Sequence, residues 1–439
     1  MGAAELVLPV GVTQGAGVLK RMSRNVGSWV LSRSFVRSLL GRFGARALLL
    51  LPSAALVPLR REGMEPVPEL DRMREEGPVT RLPVPFGVNL WLVTGYDEVK
   101  KVLADTGSFS NDYGQLGKIV DVEQNPGGLG FADPPVHTRL RKLLTPEFTM
   151  RRLARLTPRI DEIVTGCLDA MAAAPGPVDL VESFALPIPS LTICELLGVP
   201  YDDRDDFQRL AMARFDLFGG AGASLGAISE SLDYLSGVVR AQRADPGDGL
   251  IGMIIREHGD EVTDEELAGL ADGVLTGGFE TTASMLALGA LVLLNDRATA
   301  DRLRADDDAV NPFVEEILRH LTVVQVAFPR FARHDLEIGG TRVGEGDVVI
   351  CSLSAANRDS ALVGAAKGFD GSRAPTSHLA FGHGAHRCIG AELARMELRA
   401  AYPALVRRFP DLRLDPAAKS LQYRKTSIVF GVEAIDVLT

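Results

Sequence analysis

The chain has 439 residues, 46% of them hydrophobic and 24% charged, with a formal net charge of -10. That apolar share builds a large core and excludes a mainly disordered chain, while the acidic balance argues against non-specific nucleic-acid binding. Aromatic residues make up only 6%, which weakens readings built on base stacking, and four dispersed cysteines (Cys167, Cys194, Cys351, Cys388) argue against a disulfide scaffold and fit a reducing compartment.

Residues 1–61 stand apart. They hold nine Lys/Arg against one acid, Glu5, a net +8 that leaves -18 on residues 62–439. The apolar stretch from Ala47 to Leu59 carries Pro52 and Pro58 and falls short of the ~20 residues that span a bilayer. Its basic residues are scattered, not grouped ahead of an apolar core as in a secretory signal. We expect a basic N-terminal extension over 1–61 and a globular body over 62–439. Three readings stay open for the extension: a surface helix touching anionic lipid, a cleavable segment, or a start codon placed too early.

From Glu62 the pattern is that of a globular enzyme. Trp91 to Thr94 reads as a strand closed by the turn Gly95-Tyr96-Asp97, followed by a helix with Val99, Val102 and Leu103 on one face. Residues 107–132, with Asn125-Pro126-Gly127-Gly128, read as a long loop, a type usually functional or disordered. Helical patterns dominate to about residue 320. Short strands follow at 336–338 and 347–351, then a helix near 390–408 and a strand-like end around Ser427 to Phe430. The predicted class is mainly α with a small β component.

Thr263-Asp264-Glu265-Glu266 is a capping-box helix start. Nothing breaks the helix for about 32 residues, roughly 48 Å. Between Gly273 and Leu294 the only charged side chain is Glu280, so the segment is long and apolar enough to cross a bilayer. A carboxylate near its middle, beside Thr281, Thr282 and Ser284 and with glycines at 273, 277 and 278, points instead to a helix running through a large core. A lone carboxylate in such a place is functional or paired.

The segment from His378 to Gly390 reads His-Leu-Ala-Phe-Gly-His-Gly-Ala-His-Arg-Cys-Ile-Gly, and a helical run begins at Ala391. Cys388 thus lies just before a helix N-terminus, whose free N–H groups and positive dipole end favour a thiolate. Gly382, Gly384 and Gly390 allow a tight backbone and the close approach of something flat and large. An isolated cysteine is ordinarily a small buried hydrophobe. The phenylalanine, glycine and basic neighbours at these intervals point elsewhere. Zinc fits poorly, because His383, His386 and Cys388 lack the second ligand pair that a structural site wants.

Phe381-x-x-Gly384-x-x-x-Cys388-x-Gly390 resembles the haem-binding signature of the cytochrome P450 superfamily. Further segments match in the family's order: Asp133-Pro134-Pro135-x-His137-Thr138-Arg139-Leu140-Arg141, Gly277-Gly278-Phe279-Glu280-Thr281-Thr282, Glu316-x-x-Arg319, Asn357-Arg358-Asp359 and Phe369-Asp370-x-x-Arg373. The resemblance runs from about residue 62 to the end. It implies the cytochrome P450 fold, with a long central helix over the haem, and a soluble, bacterial-type haem-thiolate monooxygenase domain over 62–439.

By the same resemblance, Cys388 is the axial thiolate of haem b, in a loop shaped by Phe381, Gly384 and Gly390. His137, Arg141, Arg330 and His386 match propionate-binding positions, and Gly278 matches a haem contact on the central helix. Glu280 and Thr281 match an acid–alcohol pair that relays the two protons consumed in O2 activation. Thr281 could also serve helix geometry by bonding back to the chain. Glu316 and Arg319, one turn apart, pair and take Arg373 as a third partner in a structural network. Ser360 departs from the proline usual in the family, and residues 361–368 lack its acidic and proline residues.

The 107–132 loop, Phe279, Val324 and Gln325 of the 323–326 stretch, and Val429 are expected to line the substrate pocket. Their mostly apolar character suits a medium or large hydrophobic molecule, hydroxylated or epoxidised in natural-product biosynthesis. The alternative is a non-turnover haem-thiolate protein acting as a binding or recruiting platform, which would have no need of the Glu280–Thr281 relay. The chain carries no flavin or iron–sulfur motif, so a ferredoxin and ferredoxin reductase are the expected electron donors. Their docking face is expected to be a basic island of Arg139, Lys142, Arg387, Arg395 and Arg399. The protein is expected in the cytoplasm, with no transmembrane span and no nucleic-acid partner, and with any membrane-surface contact made through 1–61.

Overall fold

A computed structural model of the chain describes residues 52–84, 88–112, 129–199 and 221–439. In chain order, the helices that position the site are α1 (Tyr96–Ala104), α2 (Val136–Leu144), α3 (Thr157–Ala173), α4 (Pro187–Leu197), α5 (Ala221–Ala244), α6 (Asp264–Asn295), α7 (Val310–Leu321) and α8 (Ala391–Arg408). Five strands, β1 (Val79–Leu82), β2 (Leu90–Val93), β3 (Phe109–Ser110), β4 (Arg330–Ala332) and β5 (Val348–Cys351), form a mixed sheet in the order β1-β2-β5-β4-β3. Only β2 and β5 run parallel, in register from Leu90↔Val348 to Val93↔Cys351. Val93, Val349 and Cys351 of this sheet pack on Tyr96, Val99, Val102 and Leu103 of α1. Burial pushes the Cys351 thiol up to about 12, so it is an inert core group.

The 32-residue helix α6 begins as its sequence dictates. The Thr263 hydroxyl accepts from Glu266 N at 3.2 Å, and the Glu266 carboxylate accepts from Thr263 N at 3.3 Å. Its apolar length would suffice to cross a membrane, yet 72% of its most apolar window is buried inside the protein. Leu267 to Phe279 pack with α4, α5 and the helix Leu250–His258, whereas Met285 to Leu293 pack with α3, α4, α7 and α8. Approach to α8 is close enough to require glycine at 289. A Cβ there would lie 2.0 Å from the Tyr402 hydroxyl, which donates to Met285 O at 2.6 Å. α6 is thus the axis on which both halves of the core are built.

Residues 53–61, assigned by charge to the extension, belong to the body. Ser53–Leu59 form a short 3-10 helix, and Val57 is buried against Leu70, Leu82 and Leu92. Arg61 stacks 4.6 Å over Phe430, and its Nη2 donates to Leu321 O at 2.9 Å. Burial lowers the Arg61 guanidinium to about 9. The boundary expected at 61/62 therefore falls too late, because a charge count cannot see that Arg60 and Arg61 fold back. Residues 1–51 lie outside the described residues.

Candidate haem site

The cysteine loop is held by backbone geometry. Cys388 N donates to Phe381 O at 2.9 Å and Arg387 N donates to Gly384 O at 3.0 Å. Gly384 has φ +73°, and a Cβ on it would lie 2.5 Å from Leu103 O. Glycine is required there on both counts. Cys388 as a residue is exposed, the other three cysteines being buried, although protein atoms crowd its sulfur. Desolvation pushes its thiol up, while the Gly390 amide, Arg141, Arg387 and Arg395 pull towards the thiolate. A metal held by Cys388 would resolve that contest, since a coordinating thiol is deprotonated outright.

A buried ion network supports the loop from behind. Arg319 clasps Glu316 with two hydrogen bonds of 2.7 Å, and Arg373 Nε lies 3.0 Å from the same carboxylate. Arg319 Nη1 also donates to Asn357 O at 2.9 Å. The Asn357 side chain accepts from Leu379 N at 2.6 Å and donates to the Thr322 hydroxyl at 2.9 Å. Asn357 thus ties the network to the start of the cysteine loop, a link the spacing of motifs did not disclose. Ser360, in place of proline, opens a turn of helix capped by the Asp359 carboxylate, which also accepts from Tyr96 N at 2.9 Å.

Four of the residues expected to hold propionates converge. The rings of His137 and His386 are 4.1 Å apart. His137 Nε2 and both nitrogens of His386 are buried without a hydrogen-bond partner. Burial first, then the charges of His137 and Arg330, lowers His386 to about 3, with Arg141 adding a smaller push. Arg141 Nη2 donates to Arg387 O at 2.8 Å, and Arg330 is buried with Nη1 on Phe328 O at 2.8 Å. Buried donors without acceptors beside two guanidiniums are the complement of carboxylates on a bound group. The donor set fits haem.

On α6, Thr281 Oγ1 donates to Gly277 O at 2.8 Å, the back-bonded arrangement. Gly277 has open space where a Cβ would stand. Glu280 is paired: Arg424 Nη1 donates to its Oε1 at 2.6 Å. Burial still pushes Glu280 up to about 7, against Arg424 and with a contribution from Glu433. Arg424 lies 144 residues away in sequence, and no motif announced it.

Three expectations need correction. Gly278 packs on α4, where a Cβ would meet Ile193 Cδ1 at 2.9 Å; the open glycine is Gly277. Phe279, expected in the substrate pocket, is 1% exposed and packs in the core with residues of α5 and α6. At 100° per residue it stands about 200° round the helix from Thr281. Gln325 is also buried: it accepts from Arg61 Nε at 2.7 Å and donates to Ser427 O at 2.7 Å. Val324 and Val429, by contrast, meet in an antiparallel bridge, with Ile428 beside them 46% exposed. Of the 107–132 loop, residues 113–128 lie outside the described residues.

The basic island is smaller than expected. Arg395 is drawn inward to Glu315 at 2.6 Å and Glu392 at 2.9 Å and stacks 4.6 Å over Phe381. Arg399 leans 3.9 Å from Glu315, and Arg139 pairs with Glu266. Lys142 and Arg387 remain exposed.

A long central helix, a glycine-shaped cysteine loop with a buried acid–arginine network behind it, and an orphaned polar cradle beside that loop define a haem-thiolate oxygenase. The chain belongs to the cytochrome P450 family, whose profile matches residues 51–240 and 228–432. Cytochrome P450 monooxygenase PikC of Streptomyces venezuelae is 40% identical over 381 residues, 85% of this chain and 91% of the relative. Cytochrome P450 FAS1 of Rhodococcoides fascians is 40% identical over 388 residues, 86% and 97%. Among solved structures, P450 StaH from glycopeptide antibiotic biosynthesis superposes with TM-score 0.79 at 40% identity, covering 88% of this chain and 100% of that one. OxyC, implicated in an oxidative C-C coupling reaction during vancomycin biosynthesis, gives 0.77 at 37%, covering 86% and 96%. This chain is a cytochrome P450 monooxygenase.

Proposed function

We propose that the enzyme binds haem b through Cys388 and inserts one oxygen atom into a largely apolar natural product, by hydroxylation or epoxidation. The single observation that carries this is the cradle of orphaned His137 and His386 nitrogens beside Arg141 and Arg330. When bound, haem iron supplies the reduction and cleavage of O2. Cys388 presents its sulfur, oriented by the Gly390 amide, and the cradle holds the carboxylates of the bound group. Thr281 offers a hydroxyl on the open face beside Gly277, and Glu280 passes protons towards it. Val324, Ile428 and Val429 supply apolar surface that excludes water around the substrate.

Electrons come from a ferredoxin served by its reductase, docking at Lys142 and Arg387 on an otherwise acidic protein. The catalytic unit begins near residue 52, preceded by the basic extension, and works in the cytoplasm. The test is a ligand screen on purified holoenzyme, reading displacement of the haem absorption band by macrolides, terpenes and peptides of the glycopeptide type. Turnover of a hit under isotopically labelled O2 should place one labelled atom in the product. A coupled product without the label would replace insertion by oxidative coupling.

A further inference from the structure

Two carboxylates compete for one guanidinium beside the middle of α6. Arg424 Nη1 lies 2.6 Å from Glu280 Oε1, and its Nε lies 3.7 Å from Glu433 Oε1. The inner carboxylate is 17% exposed and the outer 63%, so the arginine stands between core and solvent. Arg424 and Glu433 sit on opposite strands of one C-terminal hairpin. Arg424 N donates to Gly431 O at 2.9 Å, Glu433 N donates to Gln422 O at 2.9 Å, and Tyr423 bridges Val432.

The hairpin leaves room for this arginine. A Cβ on Gly431 would lie 2.9 Å from Ser284 Oγ and 3.3 Å from the Arg424 guanidinium carbon. Ser284, one turn beyond Glu280 on α6, is 4% exposed, and its hydroxyl has no hydrogen-bond partner. Glu280, Ser284, Arg424 and Gly431 therefore converge, and among the described residues Arg424 and Glu433 are the charged groups that act on Glu280. The guanidinium lies at 2.6 Å from the inner carboxylate and 3.7 Å from the outer one, so the inner pair is the resting state.

We propose that Arg424 is a latch on Glu280: a positioning residue that holds the carboxylate engaged and favours its ionised form while paired, and frees it for protonation when the guanidinium moves to Glu433. This rests on Glu280 being the relay acid. Once freed, the Glu280 carboxylate takes a proton from water entering at the hairpin beside Ser284. It gives that proton up through water towards Thr281, returns to the anion and is re-paired. No electron moves in the latch itself.

The two carboxylates give the proposal opposite signs to test. In ferric holoenzyme, the infrared stretch of protonated Glu280, assigned by its loss in Glu280→Gln, is followed against pH. Arg424→Gln should raise the Glu280 titration by about one to three units, because a guanidinium neighbour depresses a carboxyl by that much. Arg424→Lys should stay near the native value, and Glu433→Gln should lower it. A fixed ion pair would move the band in Arg424→Gln as well, but it would leave the coupling of electrons to product unchanged in Glu433→Gln, which removes the outer station of the latch; that outcome overturns the latch. Unchanged coupling of electrons to product in Glu280→Gln overturns the relay reading. Altered coupling in Glu280→Gln, with an unmoved Glu280 titration in Arg424→Gln or an upward shift in Glu433→Gln, overturns the latch alone.

Discussion

The imidazoles of His137 and His386 lie 4.1 Å apart at a tilt of 41°, and three of their four nitrogens are buried with no partner. Burial lowers the pKa of both rings, His386 to about 3, so at neutral pH each is an uncharged ring able to donate one N–H. Two buried donors left empty cost the fold, and a carboxylate between Arg141 and Arg330 relieves that cost.

His386→Leu should therefore speed haem release by about tenfold to a hundredfold, the equivalent of one hydrogen bond to a charged group at roughly 1.5–3 kcal/mol. Transfer of haem to an acceptor protein measures it. The apoprotein of the same variant should be no less stable than wild type, since an orphaned polar group has been removed.

Substitution in the cysteine loop should separate geometry from ligation. Gly384→Ala meets both a left-handed backbone (φ +73°) and the Leu103 carbonyl at 2.5 Å, so it should cost ~2–3 kcal/mol and lower haem loading. Gly382→Ala shares the backbone conformation, φ +67°, but faces open space, so its cost should stay near 1–2 kcal/mol. Chemical unfolding of the two variants side by side decides whether the contact with α1 matters.

Cys388→Ser should keep the fold, because the loop is held by main-chain bonds and not by the sulfur. It should lose the red-shifted thiolate band of the reduced carbon monoxide complex. Retention of that band would move the ligand to another residue.

Thr281→Ala should preserve substrate binding but divert electrons to peroxide, lowering coupled turnover by roughly ten- to a hundredfold. Thr281→Ser should recover most of it. Because the hydroxyl bonds back to Gly277 O at 2.8 Å, a purely conformational role predicts instead a changed helix and unchanged coupling. Peroxide assay together with amide hydrogen exchange across residues 277–281 tells the two apart.

Glu315 gives the fold an acid limit. Burial opposes its ionisation, but hydrogen bonds from His378 and Arg395 outweigh that and hold it at about 2, below its ordinary 4.5. A carboxyl whose folded pKa is depressed stabilises the fold above its unfolded pKa. The contribution, on the order of 3 kcal/mol at most, should be lost as pH falls from about 4.5 towards 2. Glu315→Gln should be less stable at pH 7 and should flatten this part of the stability profile measured by denaturant unfolding.

Much of the site was legible because its motifs are local. The positive φ at Gly384, the amide at Gly390 and the capping box at Thr263 follow from a few consecutive residues and elementary backbone sterics. Glu316 and Arg319 pair because they lie a turn apart, and α6 was readable as a core helix from one carboxylate in a long apolar run. Gly278, Phe279 and Gln325 were misplaced for a shared reason. A motif names neighbours in sequence, whereas successive side chains of a helix point 100° apart and those of an extended segment to opposite faces.

By itself, then, the sequence determined the mainly helical class, the central helix and the presentation of Cys388, all set by short-range geometry and hydrophobic period. Only the tertiary structure decided which face of α6 opens at Gly277 and that Arg61 and Gln325 lock together. It also drew Arg395 to Glu315 and brought Arg424 against Glu280 from 144 residues away. A long charged side chain can reach many partners at similar local cost, and packing of distant elements selects the one it meets.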